Sequence, residues 1–429
     1  MRLAGRVSAA IDVLTEIFER HRPSSEALKD WGKAHRFAGS SDRHAIGTLV
    51  YDALRRRNSL SFRMGSDAPR ALALAALRDV WGLSADEIAA LAGEQHGPGE
   101  LTGQERQSLL RAVPAERSLS VAGDIPDWLV SSYERVFGPR AAEEGAALAT
   151  RAPADLRVNT LKATRGQVLD ALARFGAVEG PWSPLAVRIP APGPELRNAN
   201  VEAEPAHGLG WYEVQDAGSQ VAALLSGVGP GMRVADICAG AGGKTLALAA
   251  LMRNEGKLVA HDLDRFRLRP IFERLTRAGV TNCEVISAQD KGKFAEAGPF
   301  DCVVIDAPCS GSGSWRRKPD AKWRLTPKQF EQRIKDQRQV LENGFNLARP
   351  GGTILYITCS VLPEENTDQV AGFLARHPEM QVVPYREHWA RMIGGTAPNS
   401  ADGSDQGLLL TPARHDTDGF FICVMKKGA

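Results

Sequence analysis

No stretch of the sequence approaches the ~18 consecutive apolar residues of a membrane helix, and the first twenty residues interrupt their apolar pattern with Asp12 and Glu16. A signal peptide needs an uninterrupted apolar centre, so a cytoplasmic location is expected. Cysteine is scarce. The six residues Cys238, Cys283, Cys302, Cys309, Cys359 and Cys423 form no C-x-x-C pair and have no histidine at zinc-finger spacing. This argues against a disulfide scaffold or a structural zinc site and predicts reduced thiols and no metal. Excess charge is missing too: 53 Lys and Arg face 51 Asp and Glu, a net +2. Any affinity for nucleic acid must therefore come from local basic patches.

What is present is an ordinary globular composition, 43% hydrophobic and 24% charged, in a chain of 429 residues. That length suffices for two or three domains, each with its own core. Residues 1–140 read as helical throughout, with apolar positions such as Ala10, Val13, Leu14, Ile17 and Phe18 at three- and four-residue spacing. Ser84 with Glu87 and Thr102 with Glu105 have the spacing of capping boxes, which satisfy free amides at a helix start. A helix with Ile46, Leu49, Val50, Ala53 and Leu54 on one face ends in Arg55, Arg56 and Arg57. Those arginines suit either phosphate or the negative end of the helix.

Residues 141–205 read as a small α/β module: a helix, a strand in "DLRVNTL", a helix in "TRGQVLDALARFG" and a strand in "LAVRI". In residues 206–429, strands ("MRVADIC", "GKLVAHD", "CEVISAQD", "FDCVVIDAP", "GTILYITC") alternate with helices. This predicts an α/β fold with a Rossmann-like parallel sheet, whose ligands lie at the carboxyl ends of the strands. "GGTAPNSADGSDQG" reads as a mobile loop, and "LLLTP" with "GFFICVMKK" as a terminal strand pair.

"VADICAGAGGKT" is strand, glycine-rich turn and helix. Its glycines permit close backbone approach to a ligand and the helix aims free amides at it, although a purely structural turn has the same look. Asp262, Asp290 and Asp306 then close three successive strands, as an adenosine-type ligand across the sheet edge requires. No pocket for a second phosphate is visible. That favours S-adenosylmethionine over a dinucleotide.

Two Cys-Ser pairs, in "IDAPCSGSGSW" and "LYITCSVLPEEN", each follow an apolar strand. Carbon 5 of cytosine is too weak a nucleophile to attack a methyl sulfonium, but a thiolate added to carbon 6 turns the ring into a reactive enamine. A base must then remove the carbon 5 proton as the enzyme sulfur leaves. With "CAGAGGK", "DAPCSGSG", "RRKPDAKW" and "TCSVLPEEN" in this order, the chain resembles the RNA cytosine-5 methyltransferases of the Sun/RsmB type. The resemblance implies Cys359 as nucleophile, Cys309 in product release and Asp306 against base and cofactor. It carries S-adenosylmethionine contacts onto Cys238, Ala239, Gly240, Ala241, Gly242, Gly243, Lys244, Asp262, Arg267, Asp290 and Asp306. In DNA cytosine-5 methyltransferases the Pro-Cys string supplies the nucleophile, which would exchange the roles of Cys309 and Cys359.

Ala241 stands where the family has Pro, and Gln289 where it has Gly, which predicts altered cofactor affinity. "SWRRKPDAKWR" mixes tryptophans with Arg317, Lys318 and Lys322, a composition suited to phosphate contact and base stacking. Arg157 and Asn159 match the family's small RNA-recognition module. The helical N-terminal part resembles the NusB-like domain of bacterial 16S ribosomal RNA methyltransferases, which makes ribosomal RNA the first expected partner and transfer RNA the second. A monomer is expected. The reading from another class is a factor that binds RNA and holds the cofactor without turnover.

Overall fold

The structure is a computed structural model that describes residues 1–193, 196 and 199–429, without the side chains of residues 291 and 295. It divides into two compact units. One comprises Met1–Ala152, the described residues of Ala191–Asn198, and Trp315–Leu325; the other comprises Pro153–Pro190, Ala199–Ser314 and Thr326–Ala429.

The first unit is helical. Leu3–Arg20 forms because Val7, Ala10, Val13, Leu14 and Ile17 repeat on one face, and all five are buried. Ser84 and Thr102 accept from the backbone amides of Glu87 and Glu105, as their spacing predicts. The helix Ser40–Arg55 buries Ile46, Leu49, Val50, Ala53 and Leu54 and stops at Arg55. Arg55 then turns inward: it pairs with buried Asp52 at 2.9 Å and donates through Nε to the Arg316 carbonyl at 2.7 Å.

Residues 315–325 belong to this unit although they follow the "PCS" string in sequence. Their short helix Pro319–Arg324 is fixed by the Ser24 hydroxyl donating to Asp320 at 2.8 Å and the Trp323 indole donating to the Leu54 carbonyl at 2.6 Å.

The second unit carries two sheets. β1 (Ala154–Val158), β2 (Val178–Glu179), β3 (Ala186–Ile189) and β4 (Tyr212–Val214) pair antiparallel in the order β2-β3-β1-β4. They pack over Leu156, Val158, Val168, Leu172, Val187 and Tyr212. Beneath them a salt bridge is buried: Arg188 donates to both oxygens of Asp155 at 2.6 and 2.8 Å.

The large sheet contains β5 (Arg233–Asp236), β6 (Lys257–Asp262), β7 (Cys283–Ser287), β8 (Phe300–Asp306), β9 (Ala348–Thr358), β10 (Met380–Val383), β11 (Leu408–Leu410) and β12 (Phe420–Lys427). Its order is β10-β12-β9-β8-β5-β6-β7, with β11 on β12. The β5–β9 pairs are parallel, whereas β10, β11 and β12 pair antiparallel. The expected parallel sheet thus has an antiparallel edge, built by the predicted terminal strand pair, β11 and β12, together with β10. The polar loop before β11 is tethered, with Tyr385 donating to the Pro398 carbonyl at 2.8 Å and the Leu409 amide donating to Ser400 at 2.7 Å. No helix among the described residues is long and apolar enough to cross a membrane.

Candidate active site

The sheet register explains the two Cys-Ser strings. β8 and β9 are parallel neighbours with Asp306 opposite Ile357, and the Ala307 amide continues the ladder by donating to the Ile357 carbonyl at 2.8 Å. Neighbouring strands lie ~4.8 Å apart, and each cysteine follows closely on its strand's carboxyl end. Their side chains therefore meet: Cys309 Sγ lies 3.4 Å from Cys359 Sγ. The Cys309 thiol is pushed well above its ordinary value, first by this contact and then by burial.

Both loops are tied to each other. The Gly313 amide donates to the Cys359 carbonyl at 2.9 Å, and the Gly419 amide donates to the Gly313 carbonyl at 2.8 Å. A Cβ on Gly313 would stand 2.1 Å from the Gly419 carbonyl oxygen, so only glycine fits. The Ser312 and Ser360 hydroxyls are 2.9 Å apart, and Ser312 Oγ accepts from the Val361 amide at 2.9 Å. Asp306, its side chain one-third exposed, faces the Lys244 ammonium at 3.2 Å. Lys244 is buried, donates to Ser219 Oγ at 2.7 Å and sits 5.2 Å from the Phe420 ring centroid.

Beyond β5 the glycine turn runs with φ +49° at Gly240 and +87° at Gly242, and a Cβ on Gly242 would lie 2.5 Å from Ile271 Cγ1. Buried Asp262 braces the turn, accepting from the Gly240 amide at 2.9 Å and the Asp264 amide at 2.8 Å, with Arg267 at 3.7 Å. The Ala241 carbonyl accepts from Arg274 Nη1 at 2.8 Å, and Arg274 is itself held by Glu213. That bond stiffens the loop where the family pattern has Pro. Asp236 Oδ2 accepts from Thr245 at 2.7 Å while its buried Oδ1 has no partner, and burial lifts its pKa to about 7. A turn of small residues, with Gly240 and Gly242 at positive φ and its backbone braced by Asp262, fits an adenosine-type ligand. Asp290 lies farther out, nearly half exposed, and accepts from Ser287 Oγ at 3.0 Å. Cys238, on the turn, has its thiol pushed well up by burial.

Cys302 and Cys423 are buried, and Cys283 is half-buried against the core of the large sheet. Burial pushes Cys302 up to about 11 and Cys283 and Cys423 up to about 12.

Three residues expected at RNA point inward instead. Arg157 is buried and donates to Gln215 Oε1 at 2.6 Å; Asn159 is buried and donates to the Gly210 and Ala278 carbonyls at 2.8 and 2.9 Å. Lys322 donates to the carbonyls of Arg55 and Asp124, both at 2.8 Å, and burial lowers its pKa to about 8. A basic, aromatic-rich string has the same composition whether it contacts RNA or plugs a core. Of that string, Lys318 is exposed and Arg317 half-buried. Ser219, Phe420, Gln337 and Glu365 also build the site; in sequence Glu365 lies within "TCSVLPEEN" and Phe420 within the terminal strand "GFFICVMKK", and neither string marks them as site residues.

The model of the 16S rRNA methyltransferase RsmB/F family matches residues 226–426, and that of the RsmF/B-like methyltransferase ferredoxin-like domain matches residues 125–194. The chain is 31% identical over 353 residues to the probable ribosomal RNA small subunit methyltransferase B of Bacillus subtilis, covering 80% of this chain and 76% of that one. It is 31% identical over 313 residues to the protein of the same name from Synechocystis, covering 72% and 68%. Among solved structures, a methyltransferase homolog protein from Pyrococcus horikoshii aligns with TM-score 0.59 and 28% identity over 74% of this chain and all of that one. NSun6 from Pyrococcus horikoshii, at 21% identity, shares the fold with TM-score 0.62 over 71% of this chain and 99% of its own.

Proposed function

The chain belongs to the family of ribosomal RNA small subunit methyltransferases B, and from that premise we propose that it methylates carbon 5 of a cytosine in structured RNA, 16S ribosomal RNA first, through a covalent adduct. The observation that carries this reading is the 3.4 Å approach of Cys309 and Cys359 beyond the carboxyl ends of the paired strands β8 and β9.

S-adenosylmethionine, when bound, supplies the electrophilic methyl group. The turn from Cys238 to Lys244, with Asp262, Arg267 and Asp290, would hold it along the strand ends. Cys359 attacks carbon 6 of the cytosine. Asp306, paired with Lys244, takes the base edge, and a proton delivered at ring nitrogen 3 neutralises the charge that the thiolate brings to the ring. After methyl transfer the carbon 5 proton leaves to a base, its bonding pair re-forms the ring double bond, and the bond from carbon 6 to Cys359 breaks. Cys309, kept as a thiol by its surroundings, donates to the departing Cys359 sulfur. The target base must reach both groups edge-on, so it is unpaired or flipped. Lys318 and Arg317 remain the candidates for RNA contact.

The test incubates wild type, Cys359→Ala and Cys309→Ala with unmodified ribosomal and transfer RNA and labelled S-adenosylmethionine. Transfer lost in both variants, with a protein–RNA adduct persisting only in Cys309→Ala, is the expected result. An adduct persisting only in Cys359→Ala would exchange the two roles. Absence of transfer by wild type to either RNA would refute the reading in favour of a binding factor.

A further inference from the structure

One buried carboxylate beside the cysteines has no part in the chemistry above. Glu365 is fully buried, and burial raises its pKa. Its Oε1 accepts from the Ser310 amide at 2.7 Å and from Gln337 Nε2 at 3.0 Å, and its Oε2 accepts from Ser310 Oγ at 2.5 Å. Gln337 Nε2 also donates to the Pro308 carbonyl at 3.0 Å. The peptide units on both sides of Cys309 are thus gripped by one Glu–Gln pair. Glu365 is fixed in turn, its carbonyl accepting from the Tyr356 hydroxyl of β9 at 2.7 Å. Desolvating a carboxylate is costly, and here the cost is met by donors that belong to the Cys309 loop and its brace.

We infer that Glu365, with Gln337, is a positioning residue that sets Cys309 against Cys359, so that its loss slows release of the methylated base more than attack upon it. Cys359 follows β9 and has braces of its own: Thr358 pairs with Phe421 of β12, the Ser360 amide donates to Thr358 Oγ1 at 3.3 Å, and Asn366 donates to the Ser360 carbonyl at 2.9 Å. Loosening the Glu365 grip frees Cys309 to leave its contact while Cys359 keeps its place. The step affected is the elimination: the carbon 5 proton and the carbon 6–sulfur bond are lost, the ring double bond re-forms, and the departing sulfur goes without the Cys309 hydrogen bond. This inference rests on the covalent reading proposed above.

The experiment compares wild type, Cys309→Ala, Glu365→Gln and Gln337→Leu with unmodified 16S ribosomal RNA and labelled S-adenosylmethionine. It follows adduct on denaturing gels, methyl transfer, and melting of the full chain. Glu365→Gln turns an amide toward donors that need an acceptor, so a tenfold or greater rise in the ratio of adduct to released product is expected, in the direction of Cys309→Ala. Gln337→Leu should show a smaller rise. A lower melting temperature with that ratio unchanged in both variants would mean a purely structural role and overturn the inference. If Cys309→Ala traps no adduct, the covalent reading fails and the inference with it. If Cys309→Ala traps adduct and neither Glu365→Gln nor Gln337→Leu does, the inference alone fails.

Discussion

Replacing Lys322 with Met separates a core lysine from an RNA-contacting one. The substitution keeps the volume of the stem but removes two charge-assisted hydrogen bonds, leaving the Arg55 and Asp124 carbonyls without their donor. It also withdraws the cation nearest the buried Asp124 carboxylate, whose pKa burial already raises. Leaving a buried acceptor without its donor costs ~1–3 kcal/mol, and the apolar methionine offsets part of the sum for the two carbonyls, so we expect a loss of about 3 kcal/mol. A domain holds only ~5–15 kcal/mol in all, so the shift is readily seen in urea denaturation followed by tryptophan fluorescence. RNA affinity of the folded variant should fall with salt at the wild-type slope. Each phosphate contact to single-stranded RNA adds ~0.7 to that slope. Wild-type stability combined with a slope reduced by about that amount would refute the assignment and return Lys322 to the RNA.

Three further outcomes are expected. Asp236 has its folded pKa raised to about 7, so its contribution to stability is complete below the unfolded carboxylate value and is lost as pH rises through about 7; denaturation series should show Asp236→Asn declining less than wild type between pH 4 and 8. Gly313→Ala would drive a methyl group into the Gly419 carbonyl, 2.1 Å away; because the obstacle is backbone the loop must move, at ~1–3 kcal/mol, and labelled-methyl assays should show a drop of tenfold or more. Arg188→Met takes the cation from the Asp155 carboxylate, whose side chain is fully buried, and should cost ~3–5 kcal/mol in urea titration, with methyl transfer intact in the protein that remains folded.

Much of this was legible from local pattern. Helical spacing marked Leu3–Arg20 and Ser40–Arg55, and the Ser84 and Thr102 boxes formed as spaced. The approach of the two cysteines follows from parallel pairing of β8 and β9, but only once those strands are known to be neighbours. Long-range choices were not legible. Arg157, Asn159 and Lys322 look like RNA ligands in a string, and what turns them inward is a set of carbonyls and side chains far along the chain. Nor does anything near Gln337 in sequence hint that its amide holds the Pro308 carbonyl.

The segment Trp315–Leu325 leaves the catalytic unit at one residue and returns at another, having folded in between with helices that begin the chain. A gene cut after residue 152 would therefore not liberate a tidy module. It would strip Trp323 of the Leu54 carbonyl and Lys322 of both its acceptors, exposing an aromatic, cationic stub a few residues from Cys309. In shuffling terms the boundary is not a single cut point, because each compact unit is assembled from separate stretches of the chain.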